Sequence, residues 1–271
     1  MPQLTFSKWS SGGNTTLFLH ARDAGPCEQW ARAVLDPPVL GAEQEGCVSL
    51  AGRRLRMAGG EFCVNASRAF GALLALGAAP AGGEWRGDIR VSGWEGPVDL
   101  TVRGAVPRWE VAARLELPAG TGPADHAGGR LVRLPGISHL LLPLPEVAAP
   151  AGLLVRAREV LEGAGLLAEA AAGVIWWQPT AAGARMLPVV HVRDAGTLVA
   201  ENACGSGALA LALELSRRTG STCCELAQPS GSALEVRLAP SCDGRVSAEI
   251  SGPVTLIARG RVWLDAADGE S

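Results

Sequence analysis

Apolar and polar positions along the chain fall into two similar series, separated by a stretch with no periodicity. In the first series an apolar segment, Leu17–His20, reads as a strand, and the 3.6-residue spacing over Cys27–Leu35 reads as an amphipathic helix. In the second, a strand over Ser138–Leu144 precedes a helix over Leu153–Leu161 and two further strands, Gly173–Gln178 and Met186–Arg193. Short β segments close each series, Gly93–Arg103 in the first and Leu234–Leu238 in the second. Between the series lies Pro118–Gly129, rich in Gly and Pro, which reads as a linker. Two segments, Ala66–Leu76 and Gly207–Leu215, are apolar on nearly every face. A helix apolar all round is a buried helix. The pattern therefore predicts a duplicated α+β unit: two pseudo-symmetric halves, each a curled mixed sheet around a central helix.

Composition narrows the chemistry. The 271 residues are 48 % hydrophobic and 19 % charged, which supplies a packed core and excludes compositional disorder. A net charge of −3 offers no electrostatic footprint for nucleic acid or anionic lipid. No apolar run approaches the roughly 20 residues of a membrane span. The opening MPQLTFSKWSSGG does not read as a secretory signal, so a cytoplasmic location is expected. Lys8 is the single lysine, beside a strand start, which argues against a pyridoxal Schiff base. Seven cysteines without CxxC pairs or His partners argue against a zinc site. No cofactor and no metal are expected. Cys27, Cys47, Cys223, Cys224 and Cys242 read as small buried hydrophobes.

Cys63 and Cys204 stand apart. Each immediately precedes one of the two buried helices, in Cys63-Val64-Asn65-Ala-Ser-Arg68 and Glu201-Asn-Ala-Cys204-Gly205-Ser206-Gly207. Unpaired N–H groups at a helix start stabilise an anion, lower a thiol pKa and offer a dock for a substrate carboxylate. Two such thiols in equivalent places fit one reaction class, inversion of a stereocentre with a base on one face and an acid on the other. The alternatives from the residues alone are a dehydratase or isomerase acting on another α-acid, and a binding protein that keeps the anion cradle. Val64, Asn65, Gly205 and Ser206 flank the thiols and are candidate substrate contacts, as are Asn14 and Glu201; Glu61 is a further acidic candidate. His139 opens an apolar strand and is a candidate contact, with a backbone-bonded core histidine as the alternative. His191 and the pair Trp176-Trp177 read as structural strand residues.

At these residues the chain resembles the diaminopimelate epimerase family of cofactor-independent amino-acid racemases and epimerases. Phe6-Ser-Lys8 through Asn14 is similar to the family's opening strand and Gly-Asn turn, and Cys63 to Arg68 to its first motif, C-G-N-G-x-R. Gly136-Ile-Ser-His139 resembles G-N-P-H, and Ala203-Cys204-Gly-Ser-Gly-Ala208 the second motif, A-C-G-[TS]-G-A. The resemblance implies two domains, 1–122 joined by a returning strand 254–271, and 123–253, with Cys63 and Cys204 as base and acid in the cleft between them. It implies a small amino-acid substrate, and a homodimer is compatible with it. Arg193-Asp194-Ala-Gly196 replaces the family's E-R-G, Ile137 its Asn, and Gly173-Val174 a further Asn-Val. Diaminopimelate would thereby lose the partners of its distal end. Ser-Gly-Gly-Asn-Thr-Thr at 11–16, Gly-Gly-Glu-Phe-Cys at 59–63 and Glu201 are similar to the histidine racemase branch that serves opine-type metallophore synthesis. Histidine, or another single-headed amino acid, is the expected substrate.

Overall fold

The computed structural model describes residues 3–20, 30, 34–35, 39–78, 83–144 and 152–264. Most of the helix expected over Cys27–Leu35, and the last seven residues of the returning segment 254–271, lie outside them. The first series holds β1 (Gln3–Ser11), β2 (Asn14–His20), β3 (Gln44–Ser49), β4 (Arg54–Met57), α1 (Val64–Ala78), β5 (Glu84–Val91), β6 (Val98–Ala105) and β7 (Arg108–Leu117). Next come β8 (Pro123–His126), β9 (Gly129–Leu134), β10 (Ile137–Pro143), α2 (Leu153–Gly163), β11 (Ala171–Pro179), β12 (Gly183–Val192) and β13 (Thr197–Ala200). The chain continues through α3 (Gly205–Thr219), β14 (Cys223–Ala227), β15 (Ala233–Pro240) and the long β16 (Val246–Trp263).

Among the described residues, the sixteen strands belong to one sheet. Its pairing pattern runs twice. Antiparallel β1–β2, parallel β2–β3, antiparallel β3–β4 and parallel β4–β5 match antiparallel β9–β10, parallel β10–β11, antiparallel β11–β12 and parallel β12–β14. Each helix with a cysteine at its start sits at the same step of this pattern, α1 between β4 and β5, α3 between β12 and β14. β16 pairs along Val246–Thr255 with β7 and along its later half with β1, so the first series closes into a barrel. β7, followed after five residues by β8 beside β9, traces the corresponding path in the second series, broken where β16 is continuous.

Burial explains both central helices. α1 packs against β1, β2, β5, β6, β7 and β16, and α3 against strands from β8 to β16. Phe70, Leu209 and Leu211 have no exposed surface, each side chain contributing about 1.5–3 kcal/mol on burial. One core cluster runs continuously from α1 to α3. A second lies under α2 and takes Trp176, while its neighbour Trp177 faces the first, as alternation along a strand requires. Gly12 and Gly13, at the β1–β2 turn, have φ of 63° and 104°, and a Cβ on Gly13 would stand 2.2 Å from Ser230.

Three expectations are corrected. The segment Gly93–Arg103 is no single strand: a turn precedes Val98, where β6 begins. The linker Pro118–Gly129 contains β8, whose unpatterned Pro-Ala-Asp-His is an edge strand lacking an alternating apolar face. Cys223 and Cys242 are exposed, because they sit at a strand start and in a short 3₁₀ turn; Cys224 is buried.

Candidate active site

The two cysteines occupy matching positions. Cys204 is the N-cap of α3, in extended conformation (φ −130°, ψ 106°), and its Sγ accepts the Gly207 N–H at 3.3 Å. Cys63 directly precedes α1, and its Sγ accepts the Ala66 N–H at 3.3 Å. In both, the thiol takes a place usually filled by a Ser or Asp oxygen. Small residues then let the two helix starts abut. A Cβ on Gly205 would lie 2.8 Å from Val64 Cβ and 3.0 Å from Asn65 Oδ1, so no larger residue fits there without displacing the first motif.

Cys63, Val64, Asn65, Glu201, Cys204, Gly205 and Ser206 all line one cavity between these helix starts. Glu61 lines it too, beside an apolar wall of Ile137, Val190, Val192 and Val199. Asn14 and His139 do not line it; both are fully buried one layer behind. Asn14 holds Glu43 and Gln44 (3.1 and 3.0 Å), and His139 Nε2 is hydrogen-bonded to Ser206 Oγ at 2.9 Å. The Asn65 side chain is committed as well. Its Nδ2 donates to Ala203 O at 2.8 Å and its Oδ1 accepts from Arg68 at 3.4 Å, tying the first motif to the second. His191 is a strand residue bonded to Thr197 O.

Sequence reasoning passes over Gln44, Glu43 and Gln228. Gln44 Oε1 accepts from Cys63 Sγ at 2.9 Å, and its Nε2 donates to Asn14 Oδ1 and Glu201 Oε1. Glu43 reaches across to accept from Asn202 Nδ2 at 2.9 Å. Gln228 Oε1 accepts the Cys204 N–H at 2.9 Å. These partners stand 19 to 159 residues apart in the chain, a distance over which no local pattern signals them.

The electrostatics reverse one expectation. Burial raises the Cys63 thiol well above its usual range, and Glu201 and Glu61 add to the rise; the Ala66 N–H opposes it without prevailing. Cys204 is raised by burial and then by Glu201, which accepts its hydrogen bond. Loss of water outweighs the helix ends. Burial also raises Glu201 to about 8, with Glu43 and Glu61 contributing, and raises Glu43 and Glu61 themselves. His139 is lowered by burial to about 3 and is neutral. The site is thus rich in buried acids. No lysine or arginine lines it among the described residues.

Histidine racemases from two strains of Fusobacterium nucleatum subsp. nucleatum, ATCC 25586 and ATCC 23726, are 27 % and 26 % identical to the chain, over 96 % of it and 97 % of each relative. Among solved structures, a hydroxyproline epimerase from Agrobacterium vitis with bound trans-4-OH-L-proline superposes with a TM-score of 0.74 at 11 % identity, covering 98 % of this chain and 94 % of that one. A probable proline racemase from Agrobacterium radiobacter K84 gives 0.69 at 13 % identity, over 98 % and 95 %. These two structures establish the fold. Residues 3–263 match the family described as "Histidine racemase CntK N-terminal domain", and the chain belongs to that family of cofactor-independent racemases.

Proposed function

We propose that this isomerase racemises free histidine, with Cys63 and Cys204 exchanging protons with opposite faces of the α-carbon. The observation that carries the reading is one cavity with a thiol at the start of each of two buried helices. The repeated pairing pattern supports a division into two equivalent domains around that cavity. The N–H groups of Val64, Gly205 and Ser206, at helix starts, dock the α-carboxylate and stabilise the charge it gains as the α-proton leaves. The acidic side, Glu43, Glu61 and Glu201, faces the α-ammonium. An ammonium placed there offsets the negative charge that holds the thiols protonated, so substrate itself makes a thiolate accessible. Acid–base transfer of this kind supplies about 10²–10⁴-fold, and enclosure and orientation add to it.

The same lining argues for histidine over diaminopimelate. A second carboxylate would meet buried acids with no cation among the described lining residues. Arg193, where the resemblance puts a reader of the distal group, is exposed and paired with Asp194 at 2.9 Å. An imidazole offers an N–H to a carboxylate and a flat apolar face to Val190, Val192 and Ile137. The test is incubation with each common L-amino acid and diaminopimelate in D₂O. Histidine is expected to gain α-deuterium and lose optical activity, and Cys63→Ala and Cys204→Ala each to lose about 10³-fold or more. Full activity in either variant overturns the two-thiol mechanism.

A further inference from the structure

The two thiols have hydrogen-bond acceptors of different chemistry. Cys204 Sγ lies 3.7 Å from Ser206 Oγ, a hydroxyl that can accept from the thiol or turn to donate to a thiolate. Cys63 Sγ donates to Gln44 Oε1 at 2.9 Å, and an amide oxygen cannot take it at neutral pH. Nor can the amide turn over to offer its NH₂ to a thiolate. Gln44 Nε2 already donates to Asn14 Oδ1 at 3.0 Å and to Glu201 Oε1 at 3.3 Å, and a flipped amide would set oxygen against oxygen at Asn14. Asn14 is itself held: its Nδ2 donates to Glu43 Oε2 at 3.1 Å, and its Oδ1 receives Thr16 Oγ1 at 3.5 Å. Asn14 and Thr16 have no exposed surface, so water cannot replace either bond. The orientation of Gln44 is dictated from Glu43 inward.

We propose that Gln44 is a positioning residue that keeps the hydrogen on Cys63 when substrate draws one proton from the pair of thiols, leaving Cys204 as the favoured base. This rests on the two-thiol racemase reading above. In one direction the Cys204 thiolate removes the α-hydrogen, forming S–H as the C–H bond breaks, and the electron pair passes into the carboxylate. The Cys63 S–H bond then breaks as its proton goes to the opposite face and the pair forms the new C–H bond. The enzyme is left with the hydrogen on Cys204 and a thiolate at Cys63, and the bias of Gln44 returns it to the starting form. The enantiomer whose α-hydrogen faces Cys204 therefore draws on the favoured thiolate form, and its mirror image on the disfavoured one. Apparent affinity falls with the fraction of competent enzyme. A racemase has an equilibrium constant of one, so kcat/KM is equal in both directions and the bias appears as unequal KM values with kcat unequal in the same ratio.

The experiment measures kcat and KM for L- and D-histidine in the wild type, Gln44→Met and Asn14→Ser. The wild type is expected to have KM values several-fold apart, and both variants to move the ratio toward one. Loss of one hydrogen bond corresponds to a change on the order of 2- to 10-fold. A structural defect alone would lower both kcat values together and leave the ratio. Equal KM values in the wild type, which needs no variant to fold, or a ratio unchanged in both variants, overturns the proposal. Activity surviving in Cys63→Ala or Cys204→Ala instead overturns the underlying two-thiol reading.

Discussion

Around α1 the sheet closes edge to edge by hydrogen bonds, β16 lying along all nine residues of β1; around α3 the corresponding edge is the four-residue β8, joined to β7 only through the chain. The two surroundings treat a buried charge differently. In the closed barrel Arg68 has no exposed surface, and its guanidinium donates to Val111 O, Pro253 O and Asn65 Oδ1, every acceptor belonging to the barrel or to its helix. Burial lowers it to about 10, so it remains charged at neutral pH. In α3 the buried Glu214 is bonded twice by Arg217 and approached by Arg130, whose side chains are 49 % and 23 % exposed. A wall that excludes water obliges a charge to be solvated by hydrogen bonds from within, and a wall with an open edge lets its partners reach solvent.

The sharpest way to break this contrast is Arg68→Leu. It removes the guanidinium from Val111 O and Asn65 Oδ1 where water cannot enter and leaves Pro253 O with the Gly12 N–H alone, and should cost about 3–5 kcal/mol in urea denaturation. A loss below about 1 kcal/mol would mean that the barrel is not sealed. Next is Gly205→Ala, which drives a methyl into Val64 where the two helix starts meet. We expect kcat to fall about 10²-fold, since sub-ångström placement of reacting groups is what enclosure provides. Glu214→Ala should cost less than Arg68→Leu, about 1–3 kcal/mol, because the abandoned arginines turn to water. Equal costs for the two would erase the distinction between the two surroundings.

Glu201→Gln sharpens the comparison by slope. The Glu201 carboxyl is raised to about 8 from 4.5, so between those values the folded protein keeps a proton that the unfolded chain has lost. Stability therefore falls as pH rises through that window, and the variant removes that contribution. The melting temperature of Glu201→Gln relative to wild type should climb from pH 5 to pH 8.5. A difference independent of pH would contradict the raised carboxyl.

Much of this was legible in the residues. Ala66–Leu76 and Gly207–Leu215 have no polar face to show to water, which fixes them as the buried helices and the preceding thiols as their starts. The duplication follows from that placement and recurs in the strand pairing. The residues behind the cavity were not legible, because Gln44, Asn14 and Glu43 gain meaning only once β2 and β3 pair in parallel. Position in a motif points to His139 and Asn65 as substrate contacts, and only the packing shows their side chains bonded to Ser206 Oγ and Ala203 O. A helix start, which lowers a thiol pKa, is visible in sequence, and the dryness around it, which raises the pKa, is not. β8 leaves no signal in the sequence, since four residues at an edge need no apolar alternation.

The length of β16 has a consequence for how the polypeptide acquires its shape. The strand that seals the N-terminal barrel spans residues 246–263, so on the ribosome the first half emerges long before its last wall exists. Until then Arg68 lacks Pro253 and the rim of β1 stands bare. Nascent chains of this protein should remain protease-sensitive in their first 120 residues until the closing strand has been made, and loss of that strand should unseat the half of the molecule furthest from it in sequence.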